Sequence, residues 1–306
     1  MAVLVTGGCG NIGSHLMRAL YQSGEKPVSF DILPVPALLE DLKNKVKFVR
    51  GSMLNVTELL NIIKEEKIDR IIHTVSLLTV DSQASPVSAY KLNIGGTVNV
   101  LEAARIMDIK RVVYISSIAA YGTTTVEPIP EDHPLNPVTL YGVTKVACEY
   151  FGTTYAQNYG VDFVALRLAY VWGPGRQRGV GKLSTIVENP IRGLAAKVSG
   201  GSQRYEPVYL SDVVRALMLA CFAPPLQHRI FNIGSGEMVT LQEVAEMVKR
   251  YIPDAKIEIE SGYDLGVPTQ GYLDISRAKK ELGYEPDFKK ELALKDYIEQ
   301  VRQSVT

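Results

Sequence analysis

The chain has 306 residues, 33 basic and 33 acidic side chains, a formal net charge of zero and 46% hydrophobic residues. That balance excludes disorder and collagen-like architecture, and it lacks the cationic footprint of a nucleic-acid or membrane-surface binder. No apolar run approaches the roughly 20 residues that span a bilayer, no basic leader precedes the first apolar segment, and Cys9, Cys148 and Cys221 form neither a metal spacing nor a paired set, so a reduced cytoplasm is the expected setting.

The run 2–6 (AVLVT) predicts a buried strand, and helical periodicity follows over 12–23. Strands are expected at 27–31 and 47–50, a polar helix at 56–66, a strand at 70–75 and a long helix at 92–106. A strand at 111–116, a helix at 141–159 and a strand at 163–168 complete the series. Each strand is apolar throughout rather than alternating, as parallel strands covered on both faces are. Such repeated strand–helix units predict a Rossmann-type α/β fold with a doubly wound parallel sheet.

After Trp172, which is expected to pack between lobes, the glycine- and arginine-rich stretch 173–182 reads as a loop leaving the sheet. Further pieces at 206–210, 212–221, 230–233, 240–251, 276–282 and 292–304 predict a smaller, discontinuous C-terminal substrate lobe. The expected division is 1–172 with 208–235 for the main domain, and 173–207 with 236–306 for the lobe.

Thr6-Gly7-Gly8-Cys9-Gly10-Asn11-Ile12-Gly13 links the first strand to the first helix, and Gly8, Gly10 and Gly13 satisfy the G-x-G-x-x-G spacing. Glycines there allow a tight turn, backbone approach to a pyrophosphate and close helix–strand packing, with the anion at the positive end of the helix dipole. Asp31, 18 residues past Gly13 at the end of the second strand, is placed to accept from adenosine ribose hydroxyls. A carboxylate there repels a 2′-phosphate, so NAD is expected rather than NADP.

Tyr141 and Lys145 stand four residues apart on a predicted helix, hence on one face. A phenol with a pKa near 10 is a poor base at neutral pH, and a neighbouring ammonium favours the phenolate. Ser116 and Ser117 directly follow an apolar strand, where a hydroxyl can orient a substrate oxygen beside Tyr141. His15, His73, His133 and His228 are too dispersed for a metal site, and no metal is expected.

With these residues in place, the sequence resembles the extended short-chain dehydrogenase/reductase family, typified by nucleotide-sugar epimerases. The likeness runs through the glycine motif, Asp31, His73-Thr-Val-Ser76, the Asn93-Ile-Gly-Gly-Thr-Val-Asn-Val-Leu-Glu-Ala-Ala helix, Ser117, Tyr141, Lys145, Leu210-Ser-Asp-Val-Val, Phe231-Asn-Ile-Gly-Ser-Gly and Asp274-Ile-Ser-Arg-Ala-Lys-Lys-Glu-Leu-Gly-Tyr. It implies Ser117, Tyr141 and Lys145 as the catalytic triad. It further implies NAD contacts at Gly7, Gly10, Asn11, Ile12, Gly13, Asp31, Ser52, Met53, Thr74, Val75, Ser76, Asn93, Ser116, Tyr141 and Lys145. Substrate contacts would fall at Leu78, Ser117, Ile118, Tyr170, Arg176 and Arg178, and family members are commonly homodimers.

Several departures narrow the chemistry. Ile118 and Ala119 replace the acidic pair of family dehydratases, so dehydration is disfavoured. The register of one diphosphate-binding arginine falls on Tyr205, with Arg204 offset by one, and the other falls in Tyr263-Asp264-Leu265-Gly266. Arg176, Arg178 and Lys182 are candidate substitutes, a solvated basic loop being the competing reading. Gly51-Ser52 stands where Gly-Asp is usual near adenine. His73–Thr79 and Tyr141–Lys145 also resemble short-chain threonine dehydrogenases, although no glycine- and threonine-rich loop follows Val171. The expectation is an NAD-dependent hydride-transfer enzyme acting on a small polar, carbohydrate-like substrate, with net oxidation or reduction slightly favoured. A sugar or nucleotide-sugar epimerase is the alternative, and a non-catalytic dinucleotide sensor the minor one.

Overall fold

The computed structural model describes residues 1–175, 181–263, 268 and 270–305. Seven parallel strands form the central sheet: β1 (Ala2–Thr6), β2 (Lys26–Asp31), β3 (Lys47–Arg50), β4 (Arg70–His73), β5 (Arg111–Ser117), β6 (Phe163–Leu168) and β7 (Ile230–Ile233). Their order is β7-β6-β5-β4-β1-β2-β3. The winding reverses between β1 and β4, whose last residues Thr6 and His73 are in register. A crevice for a ligand opens at the carboxyl ends of strands at such a reversal.

Alternate strand residues feed two apolar cores, one on each face. Val3, Val5, Ile72, Val113 and Leu166 pack with Leu16, Met17 and Leu20 of α1 (Asn11–Gln22) and with Val213 and Leu217 of the helix Leu210–Phe222. Leu4, Phe30, Ile71, Val112 and Tyr114 pack with Leu59 and Ile62 of α2 (Val56–Glu65), Val100 and Leu101 of α3 (Gly96–Ile106) and Cys148 of α4 (Leu140–Tyr159). A sheet buried on both faces is why its strands read as continuous apolar runs.

A third core gathers Trp172, Leu183, Val187, Tyr209, Val244, Val248, Leu294 and Tyr297 from the helices Lys182–Ile191, Leu241–Tyr251 and Lys290–Val305 and the strands Tyr170–Trp172 and Pro207–Tyr209. Trp172 is 1% exposed and meets Tyr209 and Tyr297 edge-on.

Three local differences from the sequence expectation have physical causes. The strand expected to reach residue 75 ends at His73, because the Thr74 hydroxyl donates back to Thr6 O at 2.8 Å and turns the chain. The helix expected over 92–106 begins with a π-helical turn, Tyr90–Gly95, before α3. Within that turn the Asn93 backbone carbonyl accepts from Thr97 Oγ1 and Cys148 Sγ. The helix Lys182–Ile191 went unread, since glycines up to Gly181 dominate that stretch and Pro190 interrupts its pattern.

Candidate active site

The glycine turn is shaped by steric contacts. Gly7 has φ +75°, and a β-carbon there would come within 2.6 Å of Thr74 Oγ1. A β-carbon on Gly13 would lie 2.0 Å from Gly7 O, so only glycine lets α1 sit this close to β1. Gly10 is different: the nearest atom to its β-position is Gly7 O, 3.2 Å away, which leaves the space above it for a ligand. Gly10 caps α1 with no side-chain hydrogen bond and no acidic residue in the first turn. One end of the Asn11 side-chain amide, Oδ1, is buried without a partner among the described residues. An open, positively polarised helix terminus beside an orphaned amide, which presents either end by flipping, fits a pyrophosphate.

Asp31, 7% exposed, closes the other wall of this crevice. Its carboxylate accepts from Cys9 N and Leu33 N, both at 3.0 Å, which aims it from the tip of β2 at the glycine turn. Beyond it, Ser52 N donates to Glu58 Oε2 and the Ser52 hydroxyl accepts from Leu54 N. Met53 is buried, with its carbonyl accepting from Asn99. The donor set therefore suits a dinucleotide with a free ribose diol.

At the carboxyl end of β5, the Ser117 hydroxyl accepts from Ala119 N at 3.2 Å, leaving its own O–H for a substrate oxygen. Gln270 Nε2 pins the following turn by donating to Ile118 O and Gly122 O at 2.8 and 2.7 Å. On α4, Lys145 is 2% exposed, donates to Ile115 O at 2.6 Å, and sits 5.3 Å from the centre of the Tyr141 ring. Burial pushes its ammonium down to about 8, and the nearby Glu149 carboxylate holds it up.

Asn93 and Ser116, expected as cofactor contacts, have side chains committed to the protein. Asn93 Oδ1 accepts from Leu77 N, and Nδ2 donates to Leu77 O and Thr144 Oγ1, tying the 76–78 loop to α4. Ser116 Oγ donates to Glu149 Oε1 at 2.5 Å. Thr74 and Val75 form the wall against Gly7, Ser76 donates to Leu77 O, and Leu78 caps the short helix Thr79–Ala84. Tyr170 packs edge-on to Tyr205 at 5.3 Å. Arg204 is spent on Glu127 through Nη1 and Nη2 of its guanidinium, and Lys182 donates to Ser199. Arg176, Arg178 and Asp264–Gly266 lie outside the described residues.

Sequence reasoning missed Glu149, Arg167 and Gln270. Only the i,i+4 spacing of Lys145 and Glu149 hinted at the first; the other two reach the site from β6 and from the distant 270–274 segment. Groups of histidine, cysteine and acidic residues able to hold a metal are absent among the described residues.

A sequence model described as the NAD dependent epimerase/dehydratase family matches residues 3–234, and the chain belongs to that family. It is an NAD-dependent enzyme of the extended short-chain dehydrogenase/reductase type. A UDP-glucose 4-epimerase of Mycolicibacterium smegmatis is 31% identical over 297 residues, covering 94% of each chain. The structure of the Thermotoga maritima UDP-glucose 4-epimerase with UDP-glucose superposes with a TM-score of 0.92 at 29% identity, covering 100% of both chains. That of the Thermus thermophilus UDP-glucose 4-epimerase complex with NAD gives 0.89 at 26% identity, covering 99% of both. These likenesses favour the epimerase alternative over the net dehydrogenase that the missing arginines suggested. Among the described residues, no helix is long and apolar enough to cross a membrane.

Proposed function

We propose that the chain inverts a secondary hydroxyl of a nucleotide sugar of the UDP-glucose type, retaining NAD through the cycle. The observation that carries this is the buried Lys145 ammonium, 5.3 Å from the Tyr141 ring and beside the strand end that bears Ser117. Full-length likeness to UDP-glucose 4-epimerases supports the substrate class. Bound NAD supplies a hydride acceptor that can return the hydride to either face. Tyr141, as phenolate, takes the substrate hydroxyl proton when that carbon is oxidised and gives it back when the carbon is reduced. Ser117 donates to the same oxygen, and Lys145 stabilises the phenolate.

Gly7, Gly10, Asn11, Ile12 and Gly13 would hold the pyrophosphate, Asp31 the adenosine ribose, and Ser52 and Met53 would flank adenine. Thr74, Val75 and Ser76 would line the path to the nicotinamide, with Asn93 and Ser116 supporting it. Leu78, Ile118 and Tyr170, with Arg176 and Arg178, remain the proposed substrate contacts. The division into a dinucleotide domain and a substrate lobe, a cytoplasmic setting and a homodimer belong to the same reading.

Incubation with UDP-glucose is expected to yield its C4 epimer by chromatography, with no accumulation of NADH absorbance. A second reading, net oxidation of a substrate without a diphosphate, is favoured by Arg204 being engaged on Glu127 and by Tyr205 in the arginine register. Net NADH formation with free sugars, and no epimer from UDP-glucose, would select it.

A further inference from the structure

Glu149 lies one turn past Lys145 and two past Tyr141 on α4, and it is 4% exposed. Its Oε1 accepts from Ser116 Oγ at 2.5 Å and from Arg167 Nε at 2.9 Å, and its Oε2 accepts from Arg167 Nη2 at 2.6 Å. Arg167, on β6 and also 4% exposed, continues through Nη1 to Tyr121 OH and Glu131 O, both at 2.8 Å. Tyr121 then donates to Asn232 Oδ1 on β7 at 2.7 Å. One buried carboxylate thus fastens the helix carrying Tyr141 and Lys145 to the strand end carrying Ser117.

The groups facing Lys145 are few. On α4 they are Tyr141, Cys148 and Glu149; on β5, the Ile115 carbonyl and the Tyr114 ring at 4.7 Å; on β4, His73, which burial keeps neutral. Arg167 on β6 acts on it through Glu149. The one carboxylate near the ammonium is therefore Glu149, among the described residues.

We infer that Glu149 is a positioning residue for proton transfer, seating α4 on β5 and keeping Lys145 cationic beside Tyr141. The inference rests on the reading of Tyr141 and Lys145 proposed above. Removing Glu149 alone strands a buried guanidinium and threatens folding. The decisive variant is therefore Glu149→Gln with Arg167→Met, which removes both charges, and Ser116→Ala removes only the tether.

Two readouts apply to NAD-loaded protein. The first is the tyrosinate absorbance of each protein minus that of its Tyr141→Phe counterpart, followed against pH. The second is kcat with UDP-glucose against pH. In the charge-free variant the Tyr141 midpoint is expected to rise by about one pH unit and the alkaline limb of kcat to move down by a similar amount. Ser116→Ala is expected to lower kcat about tenfold, with KM within about twofold and both midpoints unmoved. A folded charge-free variant that titrates like wild type overturns the electrostatic role, and an unchanged kcat in Ser116→Ala overturns the seating role. If wild type does not turn over UDP-glucose, the substrate reading fails on its own, and the absorbance titration still decides the charge effect.

Discussion

In the proposed reaction, proton exchange at Tyr141 depends on a lysine that burial pushes towards its neutral form. Lys145 is pushed down to about 8, which keeps it mostly protonated at neutral pH yet close enough to titration for its neighbours to matter. Tyr141→Phe removes the proton carrier while keeping the ring, so turnover of UDP-glucose should fall by about 10²–10⁴-fold with NAD still co-purifying. Quantifying bound nucleotide beside the kinetics checks both halves. His73, below the same site, sits between Thr6 and Thr97 at 2.6 and 3.1 Å. Thr97 donates its own proton to Asn93 O, so the ring Nε2 is the donor to Thr97 and Nδ1 accepts from Thr6. Burial holds its pKa down at about 3 against 6.5 for an exposed histidine. The unfolded chain therefore binds a proton that the folded one refuses, and stability present above 6.5 is lost as pH falls towards 3. Glu206, pushed up to about 7 by burial, contributes the opposite slope over its own range, so a difference measurement is needed. His73→Gln should lower the melting temperature at neutral pH yet flatten its decline on acidification, as calorimetry across that range would show.

At the scale of elements, the turn from β1 into α1 separates folding from binding within a few residues. Gly13→Ala places a methyl 2.0 Å from Gly7 O, and the crowding atoms are Gly7 and Gly8 backbone, which cannot swing aside as a flexible side chain would. Overpacking of this kind costs about 1–3 kcal/mol, so both melting temperature and NAD affinity should drop. Gly10→Ala meets only Gly7 O at 3.2 Å, so the protein should melt near wild type and lose NAD affinity alone. Equal melting temperatures for the two variants would contradict this division. The same region shows what was legible in advance. Glycines at fixed spacing, an apolar strand before them and Asp31 after β2 are local signals, and the strand–helix series could be read from them. Asn93 was visible only as a motif residue. Its amide binds Leu77 and Thr144, because a π-helical turn rotates it away from the period a regular helix predicts. Glu149 and Arg167 could not be paired from the sequence, since their contact depends on β6 lying beside β5 under α4. The segment around Gln270 was hidden for a similar reason, as its partners Ile118 and Gly122 are remote in the chain.

For the whole molecule, zero formal charge leaves association to be governed by shape and apolar surface rather than by long-range attraction. The third core is stitched to the sheet by backbone N–H groups that converge on buried carboxylates. Asp212 accepts from Asp287 and Phe288, and Glu206 accepts from Gly236 and Leu273. These ties resist separation of the parts, yet they do nothing for the outer face of α4 and the turn before α3. There Tyr90, Val143, Tyr150 and Phe151 are 63, 46, 64 and 41% exposed, the kind of apolar side chains that a subunit interface would cover. Two copies joined by a twofold axis would bury both faces at once, since such an interface presents the same patch on each side. Tyr150→Glu with Phe151→Glu puts carboxylates into that seam, where burial without a partner is costly. The variant is expected to sediment as a monomer while wild type sediments as a dimer. Tyr141 and Lys145 lie on the same helix, so it should also lose turnover with near-normal NAD content. A wild-type protein that sediments as a monomer at every concentration tested would remove the dimer from this account and leave the exposed tyrosines unexplained.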